Sequence, residues 1–89
     1  MEWISVKDRL PDTDGEYLCV CYFKLCKSQL YKICYFAKDL YEVDELYFKD
    51  EKGKSGFYAY DGEWGYYECR DVTHWMPLPE LPKENDYAE

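Results

Sequence analysis

No stretch of this chain approaches the ~20 consecutive apolar residues that a membrane-spanning helix needs. No charged-then-apolar leader opens it, because Glu2, Lys7, Asp8 and Arg9 interrupt the first residues. It shows no internal repeat and no low-complexity segment. It holds a single histidine, His74. Gly53-Lys54-Ser55-Gly56 lacks the preceding strand and the spacing of a phosphate-cradling loop. Basic residues are also in short supply, with 11 Lys and Arg against 19 Asp and Glu, for a net charge of −8. With a pI near 4.6, the chain is repelled by phosphate backbones, so direct nucleic-acid binding is not expected. The acidity serves solubility, and it also suits a basic protein partner or imitation of nucleic acid. Together these features lead to the expectation of a cytoplasmic protein.

What is present is aromatic. Of the 89 residues, 20% are Phe, Trp or Tyr, including eleven Tyr and three Trp. Such residues favour strands and bury much area each. A mean hydropathy of −0.68 fits a polar surface around that aromatic content. The length predicts one domain, residues 1–82, with a mobile acidic tail over 83–89. A domain of this size buries only roughly 60–65% of its unfolded surface, so its stability margin is thin. Five cysteines, Cys19, Cys21, Cys26, Cys34 and Cys69, make an odd count that argues against a disulfide framework. Their spacing does not match paired zinc-binding turns, and buried Cys usually acts as a small hydrophobe. They read as structural free thiols, and no metal or cofactor is expected.

The strongest strand signal is residues 16–23, EYLCVCYF, which is apolar on both faces and so reads as central. Leu18, Val20 and Tyr22 share one face; Tyr17, Cys19, Cys21 and Phe23 share the other. Residues 30–37, LYKICYFA, form the second strand, and the short link predicts an antiparallel hairpin. Short strands are predicted at 45–49, 56–60, 64–69 and 72–75, with Asp61-Gly62 as a tight turn between two aromatic runs. Ser5 with Asp8 three residues on resembles a capping box, so a helical turn is predicted over 6–9; the connection 38–45 is the other place for the one short helix. From Met76 onward, Pro77, Pro79 and Pro82 predict an extended, polyproline-like strap held by packing. The fold class is therefore mainly β: a strongly twisted antiparallel sheet of five or six strands, partly closed, with one short helix. The predicted core is Trp3, Leu18, Val20, Ile33, Tyr35, Phe57, Ala59, Val72, Trp75 and Leu78, with Trp3 meeting the closing segment.

Two stretches are the least generic. One is residues 3–11, WISVKDRLP; the other is residues 72–82, VTHWMPLPELP. With the turn and apolar strand at 15–20, they resemble the small phage and prophage proteins of domain-of-unknown-function family 551. The resemblance covers nearly the whole chain. It implies a phage-encoded protein acting in a bacterial host cytoplasm, with no assigned catalytic activity and no catalytic or ligand residues to carry over.

The residues themselves offer no catalytic centre, so an enzyme is not expected. Cys69, Asp71 and His74 are the right types for nucleophilic catalysis. Regular alternation, however, puts Cys69 and Asp71 on the face opposite His74. No carboxylate pair stands out for glycosidase-like work. The surplus of aromatic residues is the better candidate for binding: Tyr58, Tyr60, Trp64, Tyr66 and Tyr67 around one tight turn, with His74. The leading functional expectation is a non-catalytic interaction protein that binds a host protein. The alternatives are a nucleotide-like small-molecule binder with an aromatic pocket, and an acidic nucleic-acid mimic built on Asp39, Glu42, Asp44, Glu45, Asp50 and Glu51.

Overall fold

The computed structural model describes residues 2–79. Leu81, Pro82 and the acidic tail lie outside the described residues. Six strands and one helical turn follow in order: β1 (Ile4–Ser5), β2 (Gly15–Phe23), β3 (Ser28–Ala37), α1 (Leu40–Val43), β4 (Gly56–Asp61), β5 (Gly65–Glu68) and β6 (Val72–Pro77). They form one antiparallel sheet in the order β1-β6-β2-β3-β4-β5. The predicted class and strand number hold, but the sheet is open, with β1 and β5 as its edges.

Chain order forces this sheet to curl. Three residues, 69–71, join β5 at one edge to β6 near the other. Four strand spacings in a flat sheet are about 19 Å. The four residue steps from Glu68 to Val72 reach only about 14 Å. The connection therefore crosses the concave face, and its ends bond to different strands. Cys69 N donates to Phe57 O on β4, and Tyr22 N on β2 donates to Asp71 O.

The concave face is the core. The register sets Tyr17, Cys19 and Cys21 of β2 on the same side as Cys34 and Phe36 of β3, Phe57 of β4 and Trp75 of β6. Cys19, Cys21, Cys34, Phe36, Phe57, Val72 and Trp75 form one buried cluster, with Ile4, Val6, Tyr17, Phe23 and Cys69 packed against it. Tyr17 meets Trp75 edge to face at 5.2 Å, and Trp75 Nε1 donates to Arg9 O at 2.9 Å. The two distinctive ends of the chain thus pair directly, Ile4 with Trp75 and Ser5 with His74.

This burial corrects half of the expected core. Val20, Phe57, Ala59, Val72 and Trp75 are buried. Leu18 and Leu78 are only half-buried, and Trp3, Ile33 and Tyr35 are exposed at 38%, 53% and 39%. Both faces of β2 are apolar, so alternation could not say which points inward. The 69–71 crossing encloses the thiol face.

Three local expectations also change. Residues 45–50 are turns rather than a strand, because Asp44 accepts hydrogen bonds from Leu46 N and Tyr47 N and Phe48 N bonds back to Asp44 O. Residues 6–8 form a turn closed on Ser5 O, and the short helix falls instead at the other expected place, within 38–45. Met76 is paired in the ladder with Leu18, and Pro77 with Tyr17, where a packed strap was expected. Pro77 is tolerated because β1 reaches only Trp75 and His74, leaving β6 an edge on that side beyond them.

Residues 38–55 fold over part of the convex face. Asp39 caps α1 by accepting from Tyr41 N and also holds Gly53 N. Leu40 and Phe48 bury against Ala37, with Val43, Tyr58 and Tyr66 alongside. Gly56 permits this approach, since a Cβ there would lie 3.1 Å from Leu40 Cδ1.

Candidate functional site

The six aromatic and histidine candidates do not form one site. The β4–β5 hairpin closes through a three-residue loop, 62–64, with Gly65 at φ +85°. This is longer than the expected Asp-Gly turn, and Asp61 accepts from Glu63 N and Trp64 N to shape it. Alternation then divides the rings. Tyr58, Tyr60 and Tyr66 lie on the convex face, with Tyr66 4.9 Å from Tyr60 and 5.9 Å from Tyr58. Phe48 sits 6.2 Å from both Tyr58 and Tyr66 and covers them. Burial, reinforced by Tyr66, holds the Tyr58 hydroxyl above its ordinary pKa. Tyr67 lies on the concave face, and Trp64 is in the loop and largely exposed. His74 is at the opposite end of the sheet, between Ser5 and Val20.

On the concave face, Lys32 is the feature that reading the sequence missed. Its Nζ donates to Tyr67 Oη at 2.8 Å, lies 4.6 Å from the Tyr67 ring centre and approaches Cys69 Sγ at 3.9 Å. Burial opposes the Lys32 charge, but the Tyr67 hydrogen bond and Cys69 outweigh it and raise its pKa. Cys21, Cys34 and Cys69 near it are all held above the ordinary thiol pKa. Hydrogen bonding to Cys19, with burial, pushes Cys34 up to about 12. Hydrogen bonding to Cys34, then burial, pushes the Cys69 thiol upward, and burial with Cys69 raises Cys21. Lys32 pulls Cys21 and Cys69 the other way, but it does not win. Protonated thiols are poor nucleophiles, so this cluster behaves as packing. Every cysteine is free, and Cys26 lies apart from the cluster, exposed in the β2–β3 turn. Among the described residues, no group of three or more His, Cys, Asp or Glu is arranged to hold a metal ion.

The Cys69, Asp71 and His74 set is separated by the sheet itself. Cys69 packs into the concave core, whereas His74 alternates with Trp75 onto the convex side.

The convex face carries a run of exposed apolar side chains on β2 and β3. Tyr31 is 73% exposed and Ile33 53%, with Tyr35 and Tyr22 at 39% and 36%. Trp3 stacks on Tyr31 at 6.0 Å, and Tyr35 on Tyr58 at 5.4 Å. A cavity of about 410 Å³ opens beside the first pair, lined by Trp3, Val20, Gln29, Leu30, Tyr31 and His74. Cross-strand pairing is what gathers these residues, since Val20 lies opposite Tyr31 on β3 and His74 on β6. Of this group the sequence pointed only to His74 as a binding residue. The apolar alternation of Tyr31, Ile33 and Tyr35 along β3 could have pointed to Tyr31; Trp3 and Val20 join it only through the fold. No helix among the described residues is long and apolar enough to cross a membrane.

Comparison with known proteins gives a family and no chemistry. No solved structure matches the chain. A protein of Salmonella phage P22, described as an uncharacterized 7.8 kDa protein in the ral-gp17 intergenic region, is 31% identical over 84 residues, covering 94% of this chain and 100% of that protein. The model of the family described as protein of unknown function (DUF551) matches residues 2–83, which span every strand of the sheet and both distinctive ends. The chain therefore belongs to the phage-associated DUF551 family.

Proposed function

We propose that this chain is a non-catalytic interaction protein that binds a host protein in the bacterial cytoplasm through the open part of its convex face. The observation that carries the reading is the exposure of Tyr22, Tyr31, Ile33 and Tyr35 side by side on β2 and β3. A chain of net charge −8 has carboxylates to spare, yet these four positions are apolar or aromatic. Contiguous apolar patches of this kind mark binding surfaces, and Tyr is enriched in them.

The acidic-mimic reading has less support. Asp39 and Asp44 are engaged in capping backbone N–H groups, and Glu51 pairs with Lys54 and Arg70. These three carboxylates hold the 38–55 segment and tie it to Arg70, which takes them out of a phosphate track.

The test is recovery of a partner from host lysate by tagged wild-type chain and by Ile33→Asp. A single host protein retained by the wild type at moderate salt and lost by the folded variant supports the reading. Equal recovery by both, or none by either, overturns it.

A further inference from the structure

The cavity beside Trp3 and Tyr31 has a definite hydrogen-bonding polarity, set by its neighbour Thr73. The Thr73 hydroxyl donates to Val20 O at 3.3 Å, so its one proton is committed to a group that can only accept. The same oxygen lies 3.0 Å from His74 Nδ1. It can only accept there, so neutral His74 carries its proton on Nδ1. Its Nε2 is then an acceptor, with no partner among the described residues, on a side chain that lines the cavity. The other walls are the Trp3 and Tyr31 rings, whose planes lie 19° apart, with Val20, Leu30 and the Gln29 amide. No charged side chain is among the lining residues, so nothing there would hold a phosphate.

We propose that this cavity takes the indole side chain of a tryptophan on the partner protein, its N–H donating to His74 Nε2. The proposal rests on the binding surface argued above and names the group that anchors it. Three features fit. The volume of about 410 Å³ lies within the roughly 300–1,000 Å³ of ligand clefts. Flat aromatic walls favour a flat aromatic guest. An orphan acceptor selects a ring with an N–H, which Phe lacks. A free heterocycle would have to offset its whole loss of translational freedom with these few contacts. A side chain delivered by a partner shares that cost with the rest of the interface, and Tyr31 belongs to both cavity and face. Buried Trp anchors of this kind dominate many interfaces.

The experiment is an NMR titration of the full chain with N-acetyl-tryptophanamide, its 1-methylindole analogue, N-acetyl-phenylalaninamide and adenosine. The expected result is saturable shifts at Trp3, Tyr31 and His74 with the tryptophan amide. Binding should weaken about threefold to tenfold on N-methylation, as for one hydrogen bond, and be weaker still for the other two. Tyr31→Ala, at an exposed position that does not threaten folding, should abolish the shifts. In His74→Phe, the tryptophan amide and its methyl analogue should bind alike. No saturable shift with the tryptophan amide, equal binding of the methylated analogue to wild type, or preference for adenosine overturns the proposal. Ile33 is outside the cavity, so Ile33→Asp should keep tryptophan-amide binding while losing the host protein. If the amide binds but no host protein does, the partner reading fails and the cavity stands as an indole site alone.

Discussion

The two faces of one sheet have opposite fates in this protein. The concave face is closed by the 69–71 crossing and buries thiols, two Phe rings and Trp75. The convex face is covered only where Leu40 and Phe48 reach it, and leaves Tyr31 and Ile33 in solvent. Both faces are apolar, so hydrophobicity does not distinguish them. What does is whether the chain's own connections pass over them. A sheet this small has one crossing and one folded loop to spend as cover, and the remaining apolar surface is left for something else to meet.

The largest test of this contrast is on the concave side. Trp75→Ala removes a buried ring that touches Tyr17 and anchors Arg9 O, and is expected to cost about 3–5 kcal/mol in urea unfolding. For a domain with a thin margin, that unfolds much of the population. A loss under about 1 kcal/mol would mean the concave face is not the stabilising core. Phe48→Ala should come next, at about 3 kcal/mol, because it strips the cover from Tyr58 and Tyr66. Hydrogen exchange should then rise across β4 and β5 before β2. Uniform loosening would show that the two clusters are one cooperative core.

A pH series probes the buried titratable groups without mutation. Every resolved shift among the described residues is upward: Cys21, Lys32, Cys34 and Cys69 on the concave side, Tyr58 on the convex. For Cys34, the folded thiol holds its proton to about 12 against 9.0 as the ordinary value. Between those values the folded state binds more protons than the unfolded one, so stability falls as pH rises. The contribution is complete below pH 9.0 and lost on the way to about 12. Unfolding midpoints should therefore drop above pH 9, and Cys34→Ala should flatten the drop. An unchanged slope in that variant would exonerate the thiol cluster. The smallest expected effect is on the open face, where Ile33→Asp should shift stability by no more than about 0.5 kcal/mol. A larger loss would mean that the face is part of the core after all.

The sheet was legible in particular residues. The doubly apolar run at β2, the matching run at β3 and the turn residues between β4 and β5 marked strands and their pairing. Trp3 through Pro11 and Val72 through Pro79 marked the joined ends. The loop over 38–55 was not legible, because Leu40 and Phe48 follow no strand or helix period. They are placed by Asp39 and Asp44 acting on distant and local backbone N–H groups. The cavity was illegible for a related reason, since Trp3, Val20, Tyr31 and His74 come from four separate stretches and meet only through register.

Composition and alternation by themselves determined that this chain is a β protein of five or six antiparallel strands, rich in aromatic rings and with two distinctive ends. They could not determine which side of the sheet is inside. That choice belongs to the tertiary structure, because three residues too short to span a flat sheet must cross one face and curl the strands around it.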